Sequence, residues 1–169
     1  MVAMSAGLLL YRVAASRIEV LIAHPGGPFW ARRDDAAWSV PKGEYEDGED
    51  PLAAAYREFE EEVGLPAPDG TAAFLGERRQ PGGKRVSVWA LRGDLDITHA
   101  SSNTFEMEWP RGSGRTQQFP EVDRVEWMDL PRAGRKLLKG QAPFLEDLVR
   151  ALGLHADGTG PASTTPSAG

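Results

Sequence analysis

The chain has no cysteine among its 169 residues, which excludes disulfide staples, thiolate nucleophiles and cysteine metal sites but does not fix the compartment. Its three histidines, His24, His99 and His155, are scattered and form no metal-ligand spacing. Basic charge is in short supply. Nineteen Lys and Arg stand against 25 Asp and Glu, the net charge is -6, and the pI is about 5.1. No overall basic field is present to hold a nucleic acid duplex, so any nucleotide ligand must be gripped locally. Long apolar runs are also missing. The opening MVAMSAGLLLYRV lacks a basic leader region and is too short to span a bilayer. Together these absences predict a soluble, cytoplasmic protein with no membrane partner.

What is present suits one domain, expected over residues 1–153. Residues 154–169, small, polar and proline-containing, are expected to form a disordered tail. Residues 6–13 and 18–23 are apolar runs separated by a short break and predict a hairpin. Residues 38–40 predict a brief strand before a turn at Pro41-Lys42-Gly43. Residues 71–79 and 84–92 predict strands joined through Gln80-Pro81-Gly82-Gly83, the second buried on both faces. Residues 93–102 read as a loop and 104–109 as a strand, while Trp127 falls in a strand leading to the last helix, with Glu121 in a loop before it. The connection PRGSGR carries Arg111 and Arg115, which suit either phosphate contact or plain solvation. Helices are expected over 131–138 and Pro143–Leu152, the latter with a stripe of Phe144, Leu145, Leu148, Val149 and Leu152. The loop 24–37 mixes Phe29 and Trp30 with Arg32 and Arg33. Such a mixture can meet a base and a phosphate, or tuck its aromatics against the core.

The segment richest in chemistry is GEYEDGEDPLAAAYREFEEEVGL, from Gly43 to Leu65. Asp50 is a capping residue, Pro51 suits a first helical position, and Gly64 is a stop signal, so a helix is expected over Pro51–Val63. At about 100° per residue, Leu52, Ala55, Tyr56, Phe59 and Val63 gather on one side, and Ala54, Glu58, Glu61 and Glu62 on a neighbouring arc. Like charges at helical spacing repel by a few tenths of a kcal/mol per pair. A hard divalent cation would offset that repulsion, whereas a solvated acidic face is the plain alternative.

This segment resembles the Nudix box: G, five residues, E, seven residues, then R-E-U-x-E-E-x-G-U with U bulky and apolar. Gly43, Glu49, Arg57, Glu58, Phe59, Glu61, Glu62, Gly64 and Leu65 fill its fixed positions, with the aromatic Phe59 a mild departure. The resemblance spans roughly residues 5–152 and implies an α/β fold, an α/β/α sandwich around a mixed β-sheet. It implies a hydrolase that cleaves phosphoanhydrides with Mg2+ or Mn2+ held by Glu58, Glu61 and Glu62 and the Gly43 carbonyl. Arg57 would orient a glutamate of the helix and Glu49 would pair with Arg57, the kind of support metal ligands need. In relatives of the diadenosine polyphosphate class a glutamate stands six residues before a strand tryptophan. Glu121 stands so before Trp127 and is the candidate fourth carboxylate, with Glu106 and Glu108 as rivals. The general base stays open between Glu58, Glu61 and Glu121.

The entry W-x-x-P-K-G, here Trp38 to Gly43, is similar to that of hydrolases acting on dinucleoside polyphosphates, other nucleoside polyphosphates or diphosphoinositol phosphates. Lys42 would then neutralise a polyphosphate, with Arg32 and Arg33 as further candidate substrate contacts. The expected substrate is a nucleoside diphosphate-X compound, first a dinucleoside polyphosphate or a nucleoside triphosphate. An ADP-ribose or nucleotide-sugar diphosphatase is the main alternative, since Pro81 stands sixteen residues after Leu65. Those enzymes usually carry extra N-terminal strands, for which no counterpart is expected here. A diphosphoinositol polyphosphate hydrolase, which would want more basic residues, and a non-catalytic nucleotide sensor, which would have lost box carboxylates, are the remaining readings.

Overall fold

β1 (Met4–Ala14) turns back through Ala15 and Ser16 into β2 (Arg17–Pro25), the antiparallel hairpin expected from the two apolar runs. The computed structural model that contains it describes residues 2–155 and 157–160, so 161–169, most of the expected tail, lie outside the described residues. The described remainder of that segment folds back on the hairpin: Ile18 N donates to Gly158 O at 3.0 Å, and Thr159 bridges Arg17.

The next stretch is wedged between the two hairpin strands. β3 (Lys42–Glu44) pairs antiparallel with residues 5–7 of β1, while β2 pairs with residues 11–14. The strand expected at 38–40 is displaced by this arrangement. Residues 38 and 39 make only isolated bridges to Leu137 and Ala23, and Val40 N donates to the Gln141 side chain at 2.8 Å. Pro41 has no N–H, so a continuous ladder through it is not available and regular pairing starts at Lys42. The wedge brings Lys42 and Gly43 to the middle of the sheet.

α1 (Pro51–Val63) follows with the predicted bounds. Asp50 accepts from Ala53 N at 3.1 Å, and Gly64, at φ 78°, closes the helix by donating to Glu60 O at 2.8 Å. A Cβ at Gly64 would also collide with the Ser101 carbonyl, so two constraints require glycine there. Its packed side consists of Ala54, Ala55, Glu58, Phe59 and Val63. Leu52 and Tyr56 are only half-buried, while Ala54 and Glu58 join the core side, a rotation of the expected stripe toward the carboxylates.

β4 (Ala73–Arg79) and β5 (Arg85–Arg92) form the second hairpin, and β5 lies parallel to β1. The sheet runs β4-β5-β1-β2 and ends on β8 (Val122–Asp129), with β3 alongside β1. β6 (Thr104–Glu108) and β7 (Thr116–Pro120) form a separate two-stranded sheet. The segment 119–129 thus holds the end of β7 and the whole of β8, and Glu121 lies outside both, in the loop position expected for it. Phe119 pairs with Phe105 across the small sheet, whereas Val122 onward pairs with β2, and Glu121 sits at the break. Pro120, without an N–H, is a natural end for a ladder. α2 (Leu130–Lys136), capped by Asp129, is shifted to start one residue before the expected 131–138 and stop short of it, and α3 (Pro143–Leu152) follows.

Alternation on β1 divides the core. Ala6, Leu8 and Leu10 pack with Ala54, Ala55, Phe59 and Val63 under α1. On the other face Leu9 packs with Val20, Ile22, Trp38 and Val88 beneath Phe144 and Leu148 of α3. The result is the expected mixed sheet flanked by helices on both sides. β5 is buried on both faces, as its uniform apolarity predicts. No helix of the described residues is long and apolar enough to cross a membrane.

Candidate active site

α1 presents Glu58, Glu61 and Glu62 to the wedge that carries Lys42 and Gly43. Arg57 organises this face: its guanidinium reaches Glu49 at 2.8 Å, Glu58 at 2.9 Å and Glu61 at 3.6 Å. The Arg57–Glu49 pairing and the grip on a helix glutamate thus occur together. Glu62 Oε2 accepts from the Lys42 backbone N–H at 3.2 Å. Gly43 lies so close to Glu58 that a Cβ there would overlap the carboxylate, which accounts for the bare α-carbon.

Glu121 approaches from the opposite side. Its carbonyl accepts from Gly26 N at 2.9 Å, and its N–H donates to Asn103 O at 2.8 Å. Asn103 N in turn donates to Glu61 O at 2.9 Å. One backbone residue thus ties the glutamate helix to the loop glutamate. A cavity of about 200 Å³ is lined by Lys42, Glu62 and Glu121, together with Pro25, Trp30 and Ser39. It adjoins a second cavity of about 410 Å³, with which it shares Pro25, Trp30 and Glu121 and whose other walls include Phe29, Phe105 and Met107. A larger hollow of about 700 Å³ between α2 and α3 contains none of these carboxylates; position relative to the charged groups, not size, singles out the smaller pair.

The electrostatics are congested. Burial pushes the Glu62 carboxyl up to about 8, against the pull of Lys42. Burial also raises Glu58, with Glu61 adding to the effect and Arg57 opposing it, and raises Glu121, again with a contribution from Glu61. The Lys42 ammonium is lowered by burial, with Glu62 pulling the other way. Carboxylates that resist ionisation because they are partly desolvated and face each other form a cluster of oxygen donors. Among the described residues no three His, Cys, Asp or Glu side chains are preassembled as an ion site.

Other expected residues fall elsewhere. Arg32 and Arg33 line neither small cavity; the Arg33 guanidinium stands 5.3 Å from the Trp30 ring. Glu106 and Glu108 are turned to Gln118 and to Gly114 N, so Glu121 alone of the three candidates reaches the carboxylate cavity. Pro81 lies against Gly140, in the hairpin turn, away from that cavity. Phe59, Gly64 and Leu65 hold the helix in place: Phe59 is fully buried and Leu65 packs against the same core. Sequence reasoning missed Phe105 and Met107 as cavity walls. The alternation of Phe105 and Met107 with Glu106 and Glu108 was the available signal, since period two sends the apolar pair to one face. It also missed the clamp on the 24–37 loop, where buried His24 joins Asp123 at 2.7 Å and the Arg33 carbonyl at 2.6 Å.

The fold and the carboxylate face define a class: an α/β sandwich domain with a glutamate-rich helix packed on its central mixed sheet. The chain belongs to the Nudix family, since the NUDIX domain model matches residues 3–152. It is similar to an RNA pyrophosphohydrolase from Rhodospirillum rubrum, 46% identical over 152 residues that cover 79% of this chain and 82% of that protein. It is also similar to an asymmetrical bis(5'-nucleosyl)-tetraphosphatase from Caenorhabditis elegans, 38% identical over 114 residues covering 61% of this chain and 77% of that one. Among solved structures, a C. elegans Ap4A hydrolase binary complex superposes with a TM-score of 0.58 at 24% identity, over 90% of this chain and 98% of that chain. The protein is thus a Nudix hydrolase, a pyrophosphohydrolase, and the non-catalytic sensor reading is set aside.

Proposed function

We propose that this hydrolase cleaves a phosphoanhydride in a nucleoside polyphosphate, with Mg2+ or Mn2+ held by Glu58, Glu61, Glu62 and Glu121 and the Gly43 carbonyl. The observation that carries the reading is the shared wall of the two small cavities. Glu62, Glu121 and Lys42 line one, aromatic and thioether side chains line the other, and Glu121, Trp30 and Pro25 belong to both. A phosphate chain suits the first and a base the second.

The donor set fits a hard divalent ion. Its members are all oxygen ligands, and desolvation together with mutual repulsion raises the proton affinity of Glu58, Glu62 and Glu121, a strain that a cation would relieve. When bound, such an ion lowers the pKa of water and neutralises charge on the bridging phosphates. The chain's own residues do the rest. Arg57 holds Glu58 and Glu61 in register. Lys42, in the cavity wall, balances phosphate charge as a point charge. A carboxylate among Glu58, Glu61 and Glu121 takes the proton of the attacking water. Trp30, Phe105 and Met107 hold the base and exclude solvent from that end of the cleft.

A dinucleoside polyphosphate or nucleoside triphosphate remains the first substrate reading, supported by the W-x-x-P-K-G entry and by the likeness to the asymmetrical tetraphosphatase. A 5'-polyphosphorylated RNA end is the second, favoured by the 46% identity to the RNA pyrophosphohydrolase. Both present a polyphosphate joined to a base, and neither needs a basic duplex-binding surface. The Pro81 argument for ADP-ribose weakens, because Pro81 lies away from the carboxylate cavity. The test is a Mg2+-supplemented panel of diadenosine tetraphosphate, ATP, a 5'-triphosphorylated oligonucleotide, ADP-ribose and diphosphoinositol phosphates, with products resolved by chromatography. The reading expects asymmetric cleavage of the dinucleotide or pyrophosphate release from the oligonucleotide, lost in Glu61→Gln. Preferred turnover of ADP-ribose would overturn it.

A further inference from the structure

The alternation that sends Phe105 and Met107 into the base cavity does not stop at the end of β6. Trp109, two residues beyond Met107, continues the same face to the tip of the β6–β7 hairpin. At about 3.3 Å per residue, this apolar strip carries the surface about 13 Å outward from Phe105.

At the tip the strip meets Phe29 of the 24–37 loop. The Phe29 and Trp109 rings contact edge to face, with centroids 6.0 Å apart and planes at 75°. The Arg111 guanidinium lies 4.9 Å from the Phe29 centroid. Phe29 nevertheless remains 47% exposed. Among the described residues, Arg111 forms no ion pair with a carboxylate, although the hairpin carries two. Glu106 and Glu108 are bonded to Gln118 and Gly114 instead. A planar cation therefore stands at an aromatic rim with no carboxylate of the described residues within ion-pair distance.

We propose that Trp109, Arg111 and the exposed part of Phe29 form an outer platform that stacks a second nucleobase of the same substrate, beyond the base held in the inner cavity. The proposal rests on the nucleoside polyphosphate reading and deepens it: the site takes a polyphosphate that carries two bases. Indole and guanidinium planes are suitable partners, because every base has a π face and stacking on them tolerates base identity. An aliphatic ligand would need a closed apolar pocket, and a phosphate alone would not use the rings. The second base has two sources. It is the distal base of a dinucleoside polyphosphate, or the second nucleotide of a 5'-triphosphorylated RNA.

The experiment measures kcat/KM with Mg2+ for ATP, diadenosine tetraphosphate and the 5'-triphosphorylated dinucleotide pppApA. It uses the whole 169-residue chain and the variants Arg111→Gln and Trp109→Leu, each checked for an intact fold by thermal melting. Base stacking lost on truncation is worth about 1–3 kcal/mol, and 1.4 kcal/mol corresponds to tenfold. The preference for a two-base substrate over ATP is therefore expected to fall about tenfold in each variant, chiefly through KM. The two-base substrate whose preference collapses identifies the source. A wild-type enzyme that treats ATP and both two-base substrates alike, or well-folded variants that keep the preference, would overturn the platform while leaving the nucleotide hydrolase reading intact. Failure to cleave any of the three would remove both. Two variants on different elements of the tip keep the test decisive if one of them does not fold.

Discussion

Glu62 illustrates how one residue's surroundings shape the chemistry. Its position on α1 is readable from the box, but its proton affinity is not: the rise to about 8 follows from burial, with Glu58 and Glu121 adding to it and Lys42 opposing it. The sign of the consequence is definite. A carboxyl that binds its proton more tightly in the folded state than its ordinary 4.5 makes the folded state lose stability as pH rises between about 4.5 and about 8, because the native protein retains a proton that the unfolded chain has released. In a chelator, the melting temperature is expected to decline across that window, and Glu62→Gln should flatten the decline. Excess Mg2+ should offset it at the upper end, since an ion displaces the proton more easily as pH rises. An identical pH slope in wild type and Glu62→Gln would show that Glu62 does not carry the effect. At this scale, the box residues were legible because a strict spacing on one helix brings them together. Trp30, Phe105 and Met107 were not legible as a set, because the loop and the small sheet that unite them are joined only in three dimensions.

Among elements, the helix was the easiest to read. Asp50, Pro51 and Gly64 act locally, and local chemistry survives the fold. The wedge and the small sheet were harder, since Pro41 and Pro120 decide where ladders stop only once the partner strands are known. The turn of the first hairpin offers a test. Ala15 and Ser16 hold φ values of 48° and 65°, the left-handed region that a tight two-residue hairpin demands and that neither residue favours. Such a conformation costs roughly 1–2 kcal/mol for a residue with a Cβ. Replacing the pair by Asn-Gly should raise stability by about 1–2 kcal/mol, a gain of about 2–4 °C in melting temperature per kcal/mol for a chain of this size, with activity retained. A lowered melting temperature would mean that the turn's side chains have contacts of their own.

For the molecule as a whole, the decisive arrangement is the division of one edge of β1 between β2 and β3. It opens the sheet where Lys42 and Gly43 enter, and it puts α1 on one face while the 24–37 loop and Glu121 close the other side of the cavity. The sequence predicted the helices, most strands and the box, and with them the layered architecture. It did not predict this division, since strand pairing depends on residues far apart along the chain. The gathered glutamates are proposed to hold a divalent ion for hydrolysis. Calorimetric titration of Mn2+ into the wild-type protein and Glu58→Gln, with hydrolysis of diadenosine tetraphosphate followed on the same samples, tests it most directly. Saturable Mn2+ binding with proton release is expected in the wild type, and loss of both binding and turnover in the well-folded variant. Equal Mn2+ affinity and equal turnover in Glu58→Gln would contradict it.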